Sequence, residues 1–162
     1  GYYDLVKEVL AAYGEMHLWS VRMRPGKPVA FGVLQGTPAA PWPHPIPHLG
    51  LPGNPVSAMV AFHILARPAI RKMMGYTTWD VPAIEAILEE PIHNEDGRRV
   101  HARAFVTLRK GVYYARLSGP QGSNILTAMA RANGLAICPE EVAELHAGAR
   151  VRVELLGEVE AA

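Results

Sequence analysis

The chain has 162 residues and a formal net charge of +1, with 49% hydrophobic and 19% charged residues. Such a chain can bury a real core, as one domain or two small ones, and its composition is that of a folded protein rather than a disordered one. The near-zero charge gives no reason to expect nucleic acid or a membrane surface as partner, and no apolar run approaches the ~18 residues that a spanning helix needs.

Asp4 opens a helical pattern in which Leu5, Val6, Val9, Leu10 and Tyr13 recur at helical spacing, and Gly14 is a natural stop. Residues 15–23 alternate as a strand, 24–28 (RPGKP) form a turn, and 29–34 form a second strand. This is α/β grammar. A lone helix is an odd beginning for such a sheet, so the chain is expected to lack its beginning. Residues 38–48 (PAAPWPHPIPH) hold five of the 14 prolines and are expected as a loop. His44 and His48 stand four apart there, but proline forbids the helix that would turn them toward one metal. A long helix begins at Pro55. Its apolar residues (Val56, Met59, Val60, Phe62, Ile64, Leu65) cover most of its circumference, which predicts burial between layers. Pro68 predicts a kink or break at Arg67, with a stop at Gly75.

After Trp79 the texture changes. Short apolar alternations at 84–88, 100–108, 112–117, 135–138 and 151–156, separated by turn residues, predict a small β-barrel or sandwich with one short helix near 125–131. The domain boundary falls near 76–82, giving units 1–80 and 83–162. The fold class is therefore α/β followed by all-β. Cys138 is the only cysteine, so no intrachain disulfide forms and a reducing, cytoplasmic compartment fits; in LAICP it reads as a small buried hydrophobe.

Three stretches suit an anion. Arg24 and Lys27 flank Pro25-Gly26, where glycine permits close backbone approach and the cations add charge. In 50–60 (GLPGNPVSAMV), Asn54 caps the helix, Pro55 takes its first position, and Ser57 adds a hydroxyl beside first-turn N–H groups. In 119–123 (GPQGS) a glycine loop precedes the short helix. Arg99, His101 and Arg103 alternate on one strand face, which reads most simply as a polar outer face. No Ser-His-Asp or HExxH arrangement occurs.

PGKP, a strand, GLPGNPVSA, a proline-interrupted helix, then QGSNILTAMARANGL and the closing AGARVRVELL resemble the C-terminal part of the molybdopterin molybdenumtransferases. These are the MoeA proteins, related to the C-terminal domain of gephyrin. The resemblance implies a partial molybdopterin-binding three-layer α/β domain followed by a small β-barrel-like domain. It implies insertion of molybdate into adenylylated molybdopterin with Mg2+, in molybdenum cofactor biosynthesis. Carried over by position, Asp4 and Lys27 are expected as catalytic residues, with Asp4 also a metal ligand. Arg24, Pro52, Gly53, Asn54, Pro55, Ser57, Arg103 and Ser123 are expected to bind the pterin and its anions. A homodimer is implied, with the molybdopterin adenylyltransferase as a possible partner; the alternative is a scaffold or partner-binding module related to gephyrin. The chain departs from the family pattern at Ser20, where a basic residue is sometimes found, and in its long proline-histidine stretch. The family's glycine-rich pterin loop would end about where this chain begins, so the chain is expected to be a piece of the enzyme.

Overall fold

The computed structural model describes residues 5–161, so Asp4, expected as helix cap, catalytic residue and metal ligand, lies outside the described residues. Helix α1 (Leu5–Tyr13) turns Leu10 inward and leaves Leu5, Val6 and Val9 exposed. The chain passes directly into β1 (Gly14–Ser20), then β2 (Met23–Arg24), β3 (Pro28–Thr37) and β4 (Ala40–Gly50). An antiparallel sheet forms in the order β1-β3-β4.

The proline-rich stretch is mostly strand, not the expected loop. Residues 38–39 turn, and β4 then runs along the sheet edge with Pro41 opposite Gly36 and Pro47 opposite Val33. The reason is the edge position: β4 has a partner strand on one side only, and its register with β3 breaks between Leu34 and Gly36, so residues 42–45, which include Pro43 and Pro45, take no partner in β3. Ile46 and His48 remain to pair with Leu34 and Gly32.

Helix α2 (Pro55–Ala61) starts as expected, with Asn54 Oδ1 accepting from the Ser57 N–H at 3.2 Å and Pro55 at the first position. Pro68 disturbs the helix without breaking it. The chain widens into a π-helical segment (Phe62–Ala66), in which the Arg67 N–H reaches back to the Phe62 carbonyl. That wider turn absorbs the donor Pro68 lacks. Helix α3 (Arg67–Met73) follows and ends at Met74, with Gly75 in the left-handed region. Burial all round is overturned: Val56, Val60 and Ala61 are buried, but Met59 and Phe62 are nearly half exposed.

The second half contains β5 (Ala83–Leu88), β6 (Ile92–His93), β7 (Arg99–Arg109), β8 (Val112–Leu117), α4 (Leu126–Arg131), β9 (Gly134–Cys138), β10 (Glu144–Leu145), β11 (Arg150–Leu155) and β12 (Glu160–Ala161). Strands β7, β8, β5, β11 and β9 pair in turn, and β9 returns to β7, closing a five-stranded barrel. Closure leaves no open edge in the ring. Leu88, Ala104, Val106, Ala115, Ala136, Cys138 and Val153 fill its core. Asn133 fastens the ring: its side chain accepts from the Val106 N–H at 2.6 Å and donates to the Val106 carbonyl at 3.0 Å.

The halves are stitched across the irregular stretch 76–82. Strand β2 pairs in parallel with β7, setting Met23 opposite Arg99 and Arg24 opposite Val100. A shared apolar cluster joins Met23, Val56 and Val60 to Met129 and Leu135. This stitching overturns the polar outer face expected on β7. His101 is 4% exposed and Arg103 1%, because β2 and the loop at 119–122 cover that side of the strand.

Candidate functional site

The stitching leaves a cleft of about 640 Å3 between the halves. The turn after β2 contributes Arg24, Gly26 and Lys27, and α2 contributes Ser57. The barrel side contributes Arg98, Arg103, Gln121, Gly122 and Ser123. Gly26, at φ 105°, is needed twice. That conformation disfavours any side chain, and a Cβ would meet Met23 Cε at 3.0 Å and the Ser57 carbonyl at 3.4 Å. Glycine thus lets the cationic turn lie directly on α2.

Arg103 sets the electrostatics. Its guanidinium donates to the carbonyls of Gly122 at 3.0 Å and Pro120 at 3.4 Å, and its Nε has no hydrogen-bond partner. Among the described residues, no carboxylate lies within 4.0 Å of it. A buried cation held only by carbonyls carries a desolvation cost that an anion would offset. Burial, and then the neighbouring Arg24 charge, push its pKa below the ordinary value. Gln121 fixes the glycine loop to this point, accepting from the Arg103 N–H at 2.8 Å and donating to the carbonyls of Arg103 at 3.1 Å and Gly119 at 2.8 Å. Ser123 is thereby presented at the cleft beside the guanidinium.

The mouth of the cleft is a cluster of opposite charges. Arg24 donates to the His93 carbonyl at 2.8 Å and stands 3.5 Å from the Asp96 carboxylate. Arg98 donates to the same carboxylate from Nε at 2.9 Å and more closely from Nη2. The hydrogen bond from Arg98 holds the Asp96 carboxyl below its usual pKa, with Arg24 adding to the effect, and Asp96 in turn raises that of Arg98. Lys27 is exposed and, among the described residues, has no carboxylate within 4.0 Å.

Five of the expected residues therefore meet at one cleft: Arg24, Lys27, Ser57, Arg103 and Ser123. Pro52, Gly53, Asn54 and Pro55 build the turn and cap beside it but do not line it. The helix start has little left to offer an anion. Pro55 has no N–H, the Ser57 N–H is taken by Asn54 Oδ1, and the Ala58 N–H by the Asn54 carbonyl. Arg98 carries no mark in the sequence, because it lies in a stretch (Asn94 to Gly97 and beyond) that reads only as a turn. Gln121 and Gly122 belong to the GPQGS loop, which suits an anion as a stretch without singling them out. Arg99 and His101 line a separate groove of about 580 Å3. Burial there, aided by Arg99, lowers the His101 pKa to about 4. Among the described residues no group of three or more His, Cys, Asp or Glu side chains could hold a metal. Glu95 is the carboxylate among the lining residues, and Asp96, beside the lining Arg24 and Arg98, is already engaged by both, so the described residues do not form a site for Mg2+.

Two family models match, end to end along the chain. The probable molybdopterin binding domain matches residues 1–72, and the MoeA C-terminal region (domain IV) matches 85–156. A molybdopterin molybdenumtransferase of Haemophilus influenzae is 33% identical over 153 residues, covering 93% of this chain and 36% of that protein. One from a Nostoc species is 34% identical over 142 residues, covering 86% and 31%. Gephyrin of Dictyostelium discoideum is 28% identical over 174 residues, covering 98% and 24%. The chain thus spans about a third of the length of the transferases it matches. The crystal structure of a molybdopterin biosynthesis MoeA protein from Pyrococcus horikoshii superposes with a TM-score of 0.71 at 27% identity, over 96% of this chain and 35% of that one. A molybdenum cofactor biosynthesis protein from Pyrococcus furiosus shares the fold, with a TM-score of 0.64 at 23% identity, over 88% and 46%. Among the described residues, no helix is long and apolar enough to cross a membrane.

Proposed function

The chain belongs to the MoeA family of molybdenum cofactor biosynthesis proteins, and from that premise we propose that its cleft takes part in inserting molybdate into adenylylated molybdopterin. The observation that carries this reading is the convergence of Arg24 and Lys27 from one half with Arg103 and Ser123 from the other. Both substrates are anionic. Molybdate is a tetrahedral dianion, and the adenylylated pterin carries phosphates. Bringing two anions together needs fixed positive charge at their meeting point, in surroundings that exclude water.

The residues divide this work. Arg103, buried and without a counter-charge, supplies a preorganised cation whose field solvent does not screen. Lys27, exposed and mobile in its long stem, reaches toward the arriving oxyanion. Arg24 lines the same cleft, tied to β7 by the β2 pairing. Ser57 and Ser123 offer hydroxyl donors from opposite walls. Pro52 to Pro55 shape the wall from behind, and Asp4 is assigned to substrate and metal handling as the family pattern implies. A divalent cation would enter with the substrate phosphates, the usual mode for Mg2+.

The same proposal divides the chain into an α/β unit at 1–80 and a barrel unit at 83–162, and places the active protein as a homodimer in the cytoplasm. The test is turnover of molybdate and adenylylated molybdopterin by the full-length gene product carrying Lys27→Ala or Asp4→Ala. Activity should fall by at least tenfold in each. Undiminished turnover would remove these residues from the reaction.

A further inference from the structure

We propose that Asp96 is an internal surrogate for the ligand anion, holding Arg98 and Arg24 at the cleft mouth and releasing them to an incoming tetrahedral oxyanion. The inference rests on reading the cleft as an oxyanion site. It makes Arg98 a further binding residue and Asp96 a built-in competitor.

The geometry is that of a bound anion. One carboxylate accepts from Arg98 Nε at 2.9 Å and from Arg98 Nη2, with Arg24 Nη1 at 3.5 Å. Its other oxygen accepts from the Arg98 backbone N–H at 3.3 Å. Two guanidinium groups from different halves of the molecule therefore converge on one carboxylate oxygen, as they would on an oxygen of a phosphate or molybdate. Other carboxylate–arginine pairs of the barrel are arranged differently. Glu140 with Arg99, Glu89 with Arg109 and Glu85 with Arg150 are each one carboxylate to one arginine. None of those residues lines the cleft.

The bond is also exchangeable. The Asp96 and Arg98 side chains are each about a third exposed, at 33% and 31%. Ion pairs this open to water contribute little, so a doubly charged ligand can displace the carboxylate without a large penalty. Asp96 lies on the bend at 95–98 rather than inside a strand, and Gly97 is in the left-handed region. The carboxylate can leave without disturbing the barrel ladder. Arg24 keeps its bond to the His93 carbonyl and stays aimed at the cleft. Glu95 lines the same cleft but forms no ion pair with either arginine among the described residues. It serves as the internal control, since it contributes the same charge without the contact.

The experiment is calorimetric titration of this chain with molybdate, inorganic phosphate and AMP, for the wild type, Asp96→Asn, Asp96→Ser, Glu95→Gln and Arg98→Gln. Asp96→Asn and Asp96→Ser should each bind molybdate roughly three- to tenfold more tightly than the wild type. Glu95→Gln should gain less than either. Arg98→Gln should bind more weakly, and Asp96→Asn should give no gain in the Arg98→Gln background. The three ligands identify the source of the oxyanion: tightening confined to molybdate assigns the position to the metal oxyanion, and tightening confined to AMP assigns it to the nucleotide phosphate. Wild-type binding that Asp96→Asn leaves unchanged, or raises no more than Glu95→Gln does, would overturn the surrogate role while leaving the cleft reading intact. Absence of binding to the wild type and to both Asp96 variants alike would overturn the cleft reading, and this inference with it.

Discussion

The two halves solve the burial problem in opposite ways. The barrel closes on itself: Leu88, Ala104, Val106, Ala115 and Val153 are fully buried, and its five strands leave no edge in the ring. The first half has an open three-stranded sheet and a helix with one covered side, and it exposes Leu5, Val6, Val9, Phe31, Met59, Phe62, Ile70 and Met73. Rigidity therefore sits in the barrel, and the first half takes its order from the seam, where Met23, Val56 and Val60 pack against Met129 and Leu135. The cleft lies on that seam. Its buried cation, Arg103, belongs to the rigid side, and its exposed one, Lys27, to the open side.

The comparison breaks most sharply in the cores. Leu88→Ala should cost about 2–5 kcal/mol, because the closed ring cannot collapse around the lost volume. Ile70→Ala, at an exposed site of the first half, should change stability by no more than about 0.5 kcal/mol. Urea unfolding of the two variants measures both, and similar costs would mean that the barrel is not the more tightly packed half.

Acid should also strike the barrel side. His101 is kept neutral by burial, with a pKa of about 4 against 6.5 when exposed. The unfolded chain therefore takes up the proton first. Its contribution is complete above pH 6.5 and is lost as pH falls toward 4, by about 3 kcal/mol in all. Glu154, whose carboxyl burial raises above the usual range, works in the opposite sense and offsets part of this loss. Unfolding midpoints at pH 7.5 and pH 4.5 should differ in the wild type and differ less in His101→Leu, where His63, whose pKa burial also lowers, keeps part of the acid sensitivity. A wild-type midpoint independent of pH would contradict the assignment.

At the seam, Lys27→Ala should weaken molybdate binding about tenfold, some 1.4 kcal/mol, without moving the thermal midpoint, because the side chain is exposed. Arg103→Gln should weaken binding and lower the midpoint together, since its guanidinium also holds the 120–122 loop. The smallest effect concerns the open edge. Replacing Pro43, Pro45 and Pro47 by threonine restores N–H donors on the edge strand β4, and should promote self-association seen by light scattering while costing under about 1 kcal/mol per site.

Much of this fold is legible in the residues. The barrel strands show as alternation because one face of each meets a core, and the helix cap at Asn54 follows from local hydrogen bonding alone. Pro68 announces a disturbance but not its form, because whether a helix kinks or widens depends on what packs around it. Residues 38–48 read as a loop because so many prolines exclude a central strand, whereas the edge position that β4 takes tolerates them. The faces of β7 were misread for a different reason. Alternation reports what one strand presents, and burial of Arg103 and His101 comes from the cover laid over them by β2 and the 119–122 loop. The site residues Arg24, Lys27, Arg103 and Ser123 were accessible through motif order. Arg98 and Asp96 were not, because a charged turn carries no mark of the cleft into which it folds.

The most direct test of the central claim is a crystal of this chain soaked in molybdate and measured at a wavelength where molybdenum scatters anomalously. The account predicts an anomalous peak within hydrogen-bonding reach of Arg103 and Lys27. A well-ordered soaked crystal with no peak in that cleft, and the anion bound elsewhere or not at all, would contradict it.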